Sequence, residues 1–221
     1  MTSARYVIGD TRDVVATLPD GSVDLIMTSP PFLALRSYLP ADHPDKWREI
    51  GSEPDPAGFV DTLLELTAEW RRVLAPHGSI CVELGDTYSG GAGERAGADR
   101  PQDGGYHISQ RVKRPGFGHN SKTGIRNMND KVQPGGEGWP LAKSACLIPE
   151  LYRIALAYGR NPLTGAESPA GQWRIRNTVR WCRPNPPVGA LGDKFRPATS
   201  DMVVACVSSR RWFDLDAVRY T

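Results

Sequence analysis

The sequence predicts an α/β fold, and three observations predict it. Val23 to Met27 is a nearly continuous apolar run that stops at Pro30-Pro31, as a buried strand must, because proline has no N–H for the ladder and drives its neighbour to extended geometry. Asp55 to Leu74 places Phe59, Leu63, Leu66, Trp70, Val73 and Leu74 at three- and four-residue spacing, the stripe of an amphipathic helix. A second apolar run, Ser79 to Leu84, follows that helix at once. Strand and helix signals that alternate in this way point to a sheet carrying crossover helices.

Composition bounds the rest. A chain of 221 residues is long enough for one good core. Hydrophobic content of 39% and charged content of 24% are ordinary for a globular protein. No apolar run approaches the roughly 20 residues of a membrane helix, and MTSARYVIGD lacks the charged-then-apolar layout of a signal peptide. The expectation is a soluble cytoplasmic protein. A net charge of +2 excludes a general polycation. Cys81, Cys146, Cys182 and Cys206 are far apart and form no CxxC pair, so free thiols are expected rather than a metal site or a disulfide framework.

Taken in order, Tyr6 to Asp10 reads as a short strand ending in Gly-Asp, Asp13 to Leu18 as a short helix, and Pro19-Asp20-Gly21 as a turn into the Val23 strand. Together they make a compact βαβ unit. The strand should end near Thr28, leaving Ser29-Pro30-Pro31-Phe32 as a stiff loop at its C-terminal edge, where open α/β sheets bind ligands. That loop offers a hydroxyl, carbonyl oxygens and a flat ring, a set suited to a planar amine-bearing group. A strand cap with a packed Phe is the competing reading. Leu33 to Pro56 is polar and broken by proline; it either closes over a ligand or is merely solvated. Pro56 suits an early helical position, and Pro76 and Gly78 are expected to stop the helix.

From Thr87 the chain turns Gly-rich, polar and basic. Between His107 and Lys131, Arg111, Lys113, Arg114, Lys122, Arg126 and Lys131 face one acid, Asp130. Such a segment cannot order itself by burial, but phosphate contacts come mostly from Lys and Arg. It is either a DNA-contacting insertion, residues 87–143, or a flexible basic surface. GDTYSGGAGERAG follows a strand, but no helix pattern opens after it, so it is not read as a nucleotide loop. Ala145 to Tyr158 reads as a second helix on the sheet. Trp173 to Arg183 reads as a strand broken by RPNPP, and DMVVACVSS as the last strand, giving a C-terminal antiparallel pair.

SPPF after an apolar strand resembles motif IV, (D/N/S)PP(Y/F), of the amino-DNA methyltransferases, which methylate the exocyclic amine of cytosine or adenine using S-adenosylmethionine. IGDTRDVVATLPDGSVDLIMTSPPF resembles the family's "GD…L…LPDxSVDLI-TSPP(Y/F)" opening, WRRVLAPHGSICVELGD its "RVLKPGGxL-V-GD" segment, and ACLIPELYRIALAY its "LVGIPWRLALAL" helix. The most specific match is RNTVRWCRPNP…RPATSDMVVACVSSRRWFDLDAVR, similar in order and spacing to the segment holding motif VIII. The resemblance implies a Rossmann-like S-adenosylmethionine-dependent methyltransferase fold and a single catalytic domain over residues 1–221. It assigns catalysis to Ser29, Pro30, Pro31 and Phe32, and puts Asp10 and Thr28 on the cofactor side. Trp181 and Asn185, with Pro184, fall at the target-base pocket. Asp10 has an equal alternative as cap of the helix that follows, and Trp181 as a core residue. The implied partner is double-stranded DNA, from a prokaryotic or phage-encoded enzyme. Serine in place of aspartate leans toward cytosine N4, though family members with TSPP loops act on both bases, and relatives of this loop modify RNA or protein glutamine.

One departure stands out. The family's FxGxG cofactor loop is found nowhere in the chain. The resemblance therefore covers the catalytic half of the pattern, the fold is expected to be incomplete, lacking the strand and helix of that loop, and a second chain or further segment is expected to supply it. The Tyr6 strand is expected to be poorly supported or re-paired. Two rivals remain at this point: a non-catalytic DNA-binding remnant, and an unrelated α/β protein whose prolines are structural.

Overall fold

The computed structural model describes residues 3–90, 134–186 and 195–219. Arg111, Lys113, Arg114, Lys122 and Arg126 lie outside the described residues. The elements in order are α1 (Thr11–Ala16), β1 (Val23–Thr28), α2 (Pro56–Val73), β2 (Leu74–Leu84), α3 (Ile148–Tyr158), β3 (Arg174–Cys182) and β4 (Thr199–Cys206). The strands form one sheet in the order β1-β2-β4-β3. β1 runs parallel to β2, and β4 antiparallel to both β2 and β3. The expected C-terminal antiparallel pair is present.

α2 begins where its sequence dictates. The Asp55 carboxylate accepts the Gly58 N–H at 2.8 Å and Pro56 sits in the first turn, so an orphan donor is satisfied and no N–H is wasted. Phe59, Val60, Leu63 and Leu64 are fully buried against the sheet, each contributing about 1.5–3 kcal/mol by leaving water. The helix stops at Val73, ahead of the expected breakers Pro76 and Gly78. Leu74 turns extended at ψ 132° and pairs with Val23, and residues 75–78 then bulge out before Ser79 meets Leu25. Gly78 is required there, because a Cβ would lie 2.7 Å from Leu74 Cδ2 and 3.0 Å from the Asp24 carbonyl.

α3 starts at Ile148, three residues later than the sequence pattern suggests. Ala145 is drawn into an isolated bridge with Tyr88, and Leu147 adopts a left-handed φ of 60°. The Asp86 carboxylate, at the end of β2, accepts the Leu147 and Ile148 N–H groups at 3.1 Å each. α2 and α3 are tied by a buried hydrogen bond between Thr67 Oγ1 and Tyr152 Oη at 2.7 Å. Both described ends of the inserted segment close on each other through Ser89 N–H to Ser144 O and Lys143 N–H to Ser89 O, each 2.8 Å.

Two expectations are corrected. Tyr6 to Asp10 forms no strand: Tyr6 and Ile8 are almost wholly exposed, and the segment takes no part in the four-stranded sheet. β1 is not buried on both faces. Ile80, Val82, Leu84, Val203 and Ala205 line the face that α2 and α3 cover, whereas Leu25 and Met27, on the opposite face, are 52% and 66% exposed. Among the described residues no helix is long and apolar enough to cross a membrane.

Candidate functional site

The site grows from the alternation of side chains along paired strands. Met27 pairs with Cys81, Cys81 with Val204, Glu83 with Met202, and Ser200 with Trp181. Directly opposite residues point to the same face, so Cys81, Glu83, Ser200, Met202, Val204 and Trp181 share the open face with Met27. Ser29 follows directly on the end of β1, two residues beyond Met27. The parallel pairing of β1 with β2, and the reversal into β4, bring Ser29, Glu83, Ser200 and Trp181 to one edge of the sheet.

At that edge a polar cluster centres on Glu83, whose carboxylate accepts the Ser200 hydroxyl at 2.6 Å and the Arg183 guanidinium at 3.3 Å; the Ser29 hydroxyl beside it also lowers its pKa. Burial alone would raise the Glu83 pKa; the donors Ser200, Ser29 and Arg183 outweigh it and hold the carboxyl below its usual range. The carboxylate therefore stays ionised, and its charge draws the Ser29 proton toward it. A hydroxyl has one proton and two lone pairs, so the lone pairs of Ser29 are left facing out as acceptors. Ser29 is exposed, Pro30 buried, and Pro31 and Phe32 half-buried. The loop is thus seated but open.

Phe32 is held from two sides. Its ring lies on Gly85, where a Cβ would come within 2.6 Å of Cε2. Its carbonyl abuts Gly51, at φ +87°, where a Cβ would approach to 2.8 Å. Only glycine permits both approaches and the left-handed backbone at residue 51. The cluster thus holds outward-facing acceptor oxygens beside a fixed aromatic plane.

The other expected residues divide. Trp181 is 52% exposed, on the site's side of the sheet and not in the core. Thr28 closes β1, half-buried and paired with Val82. Asn185 lies exposed beyond the end of β3. Asp10 caps α1, accepting the Arg12 N–H at 2.8 Å, and its carboxylate also meets the guanidinium groups of Arg12 at 3.8 Å and Arg48 at 3.5 Å. No bond joins it to the SPPF loop, and the expected helix cap is present. Sequence reasoning missed Glu83, Ser200 and Gly85. The signal for Glu83 was available: a lone carboxylate interrupting the apolar run Ser79 to Leu84.

A family model described as DNA methylase matches residues 23–221. The Type II methyltransferase M.SfiI of Streptomyces fimbriatus is 27% identical over 220 residues, covering 98% of this chain and 38% of that protein. The Type II methyltransferase M.Cfr9I of Citrobacter freundii is 26% identical over 220 residues, covering 99% of this chain and 59% of its own length. The chain thus spans about half the length of these curated relatives. Among solved structures, the PvuII DNA methyltransferase (cytosine-N4-specific) superposes with a TM-score of 0.53 at 15% identity, over 96% of this chain and 51% of that one. This last likeness is one of fold, and it makes the four-stranded sheet and its helices part of a methyltransferase fold.

Proposed function

From membership of the DNA methylase family, to which this chain belongs, we propose that it forms the target-base side of a site-specific DNA methyltransferase acting on an exocyclic amine. The single observation that carries the reading is the exposed Ser29 set beside the Glu83 carboxylate, at the sheet edge where Phe32 is fixed on Gly85. An exocyclic amine is a poor nucleophile because its lone pair is delocalised into the ring. Ser29, its own proton drawn toward the Glu83 charge, accepts an amine N–H through a free lone pair. The Pro30 carbonyl is the second acceptor, and the diproline keeps both from relaxing away. Holding two N–H bonds out of the ring plane localises the nitrogen lone pair. S-adenosylmethionine, when bound, supplies a methyl group on a sulfonium. The base leaves the duplex at a cost of a few kcal/mol. Stacking on Phe32, with Trp181 at the rim, offsets about 1–3 kcal/mol per base.

The residues present fit the base better than the cofactor. Asp10 is turned toward Arg12 and Arg48, and the FxGxG loop is missing from the sequence. We propose that a second chain or further segment supplies that loop and covers the apolar face of Leu25 and Met27. The basic residues Arg111, Lys113, Arg114, Lys122 and Arg126 are proposed to contact DNA phosphates. Serine at position 29 favours cytosine N4 over adenine N6. The alternative, a DNA-binding remnant without activity, is favoured by the engagement of Asp10 alone.

Transfer of labelled methyl from S-adenosylmethionine to DNA, with the product nucleoside identified by mass, tests the reading. The expected product is N4-methylcytosine, abolished by Ser29→Ala. Labelled DNA from the Ser29→Ala variant at the wild-type rate would overturn the assignment of the site.

A further inference from the structure

The loop that leaves Phe32 returns to it. Ala34 N–H donates to Gly51 O at 2.8 Å, Leu35 N–H to Phe32 O at 3.3 Å, and Gly51 packs on the Phe32 carbonyl. Residues 34–51 are therefore a closed surface loop with its ends on the SPPF turn, a form that often carries function. Its interior is fully engaged. The Lys46 ammonium bonds the buried Ser37 hydroxyl, the Leu39 carbonyl at 3.0 Å and the Glu49 carboxylate. Glu49 accepts the Tyr38 and Leu39 N–H groups in turn. Arg48 roots the loop in α1 through two bonds to Asp13 at 2.7 and 3.2 Å, and Arg12 holds the Arg48 carbonyl at 2.7 Å.

The exterior is the reverse. Trp47 is 82% exposed, Leu35 53% and Tyr38 48%, and Arg36 is exposed with no hydrogen-bond or ion-pair partner among the described residues. A rigid loop that leaves its largest apolar groups and a free guanidinium in water is preorganised for a partner, not awaiting its own collapse.

We infer that this loop is the enzyme's contact with the duplex beside the everted base: Trp47 stacks on a base left without its neighbour, and Arg36 pairs with the adjacent phosphate. This rests on the function proposed above. Nucleic acid suits the set because aromatic faces take any base and a lone guanidinium takes phosphate oxygens, while the loop's attachment to Phe32 ties it to the point where a base leaves the stack. Across residues 34–51 three cations, Arg36, Lys46 and Arg48, match three acids, Asp42, Asp45 and Glu49, and Arg36 is the cation without a partner among the described residues.

The test is binding of the chain to a short fluorescein-labelled duplex carrying one cytosine mismatch, followed by anisotropy across a salt series. Trp47→Ala should weaken binding about tenfold at every salt concentration, by loss of one stacked base, with the salt slope unchanged; Trp47→Phe should keep most of the affinity. Arg36→Ala should reduce the salt slope by about one, the signature of one lost phosphate contact, and Arg36→Lys should restore it. Both side chains are exposed and outside the loop's internal bonding, so circular dichroism should be unaltered. Wild-type binding with all four variants unchanged would overturn this inference and leave the proposed function standing. Failure of the wild-type chain to bind the duplex would overturn both.

Discussion

Glu83→Gln is the substitution that separates a charge-held site from a merely polar one. The carboxylate side chain is 18% exposed and collects Ser29, Ser200 and Arg183. Arg183 is 38% exposed, so its pairing counts for little. The Ser200 hydroxyl bond carries the effect. A hydrogen bond to a charged group contributes about 1.5–3 kcal/mol and a neutral one about 0.5–1.5. Glutamine keeps an acceptor but removes the charge, so the expected loss is about 1 kcal/mol, a fall in Tm of roughly 2–4 °C for a chain of this size. The pH dependence fixes the cause. The folded pKa of Glu83 lies below its usual 4.5, so its stabilisation is present above that value and is lost as pH falls through the folded pKa. Thermal melts at pH 7 and in steps below pH 4.5 should show the wild-type advantage shrinking and then vanishing. In a Ser200→Ala background the effect of Glu83→Gln should be smaller, because the two share one bond. Equal melting of wild type and Glu83→Gln at pH 7, or a gap that persists unchanged into acid, would refute the account. In the active enzyme the same substitution should lower kcat while leaving KM for DNA nearly unchanged, because Ser29 would lose its orientation but not its place.

Gly85→Ala drives a methyl to within 2.6 Å of the Phe32 ring; it should cost about 1–3 kcal/mol in a denaturant titration and abolish methyl transfer, and wild-type stability would mean the ring moves freely. Met27→Lys should leave the melting temperature of this chain nearly unaltered, since that side chain is 66% exposed, whereas Val82→Lys, one strand away on the covered face at 0%, should prevent folding by burying an unpaired charge; similar effects at both positions would contradict the one-sided cover of the sheet. Mass spectrometry after brief iodoacetamide treatment at pH 8 should find Cys182, which is exposed, modified in the native protein. Cys146 should be spared, because burial and then the Asp86 charge push its thiol up to about 11 and the thiolate is the reactive form.

Much of the fold was legible because its signals are local. The α2 stripe, Asp55 as cap and Pro56 in the first turn need no knowledge of distant residues, and α2 forms within a residue of its expected bounds. The boundaries that moved did so for non-local reasons. α3 starts late because Asp86, sixty-one residues earlier, supplies the acceptor for its first N–H groups. β2 starts early, at Leu74 and not at Ser79, because Leu74 is taken by Val23 of another strand. The same division runs through the site. Ser29, Pro30, Pro31 and Phe32 were legible as a loop, since two prolines after an apolar run leave few alternatives. Glu83, Ser200 and Gly85 were not, because their roles exist only once β1, β2 and β4 lie side by side.

The failed reading of β1 is also the most informative. A strand of Val23, Leu25, Ile26 and Met27 has the composition of one buried on both faces, and that property belongs to the sequence whether or not the described residues realise it. Here one face is packed by α2 and the other carries Leu25 and Met27 into water, beside half-buried Cys81, Met202 and Val204. An apolar patch continuous across strands is uncommon on a self-sufficient surface and marks an interaction site. Ser29, Glu83 and Trp181 rise from the edge of that same face. On the proposed function, a segment covering Leu25 and Met27 would end beside the SPPF loop, and the proposed docking surface and reaction centre would be two parts of one plane. A cover that seats on the sheet is thereby delivered to the amine, and the exposed strand and the chemistry have a single explanation.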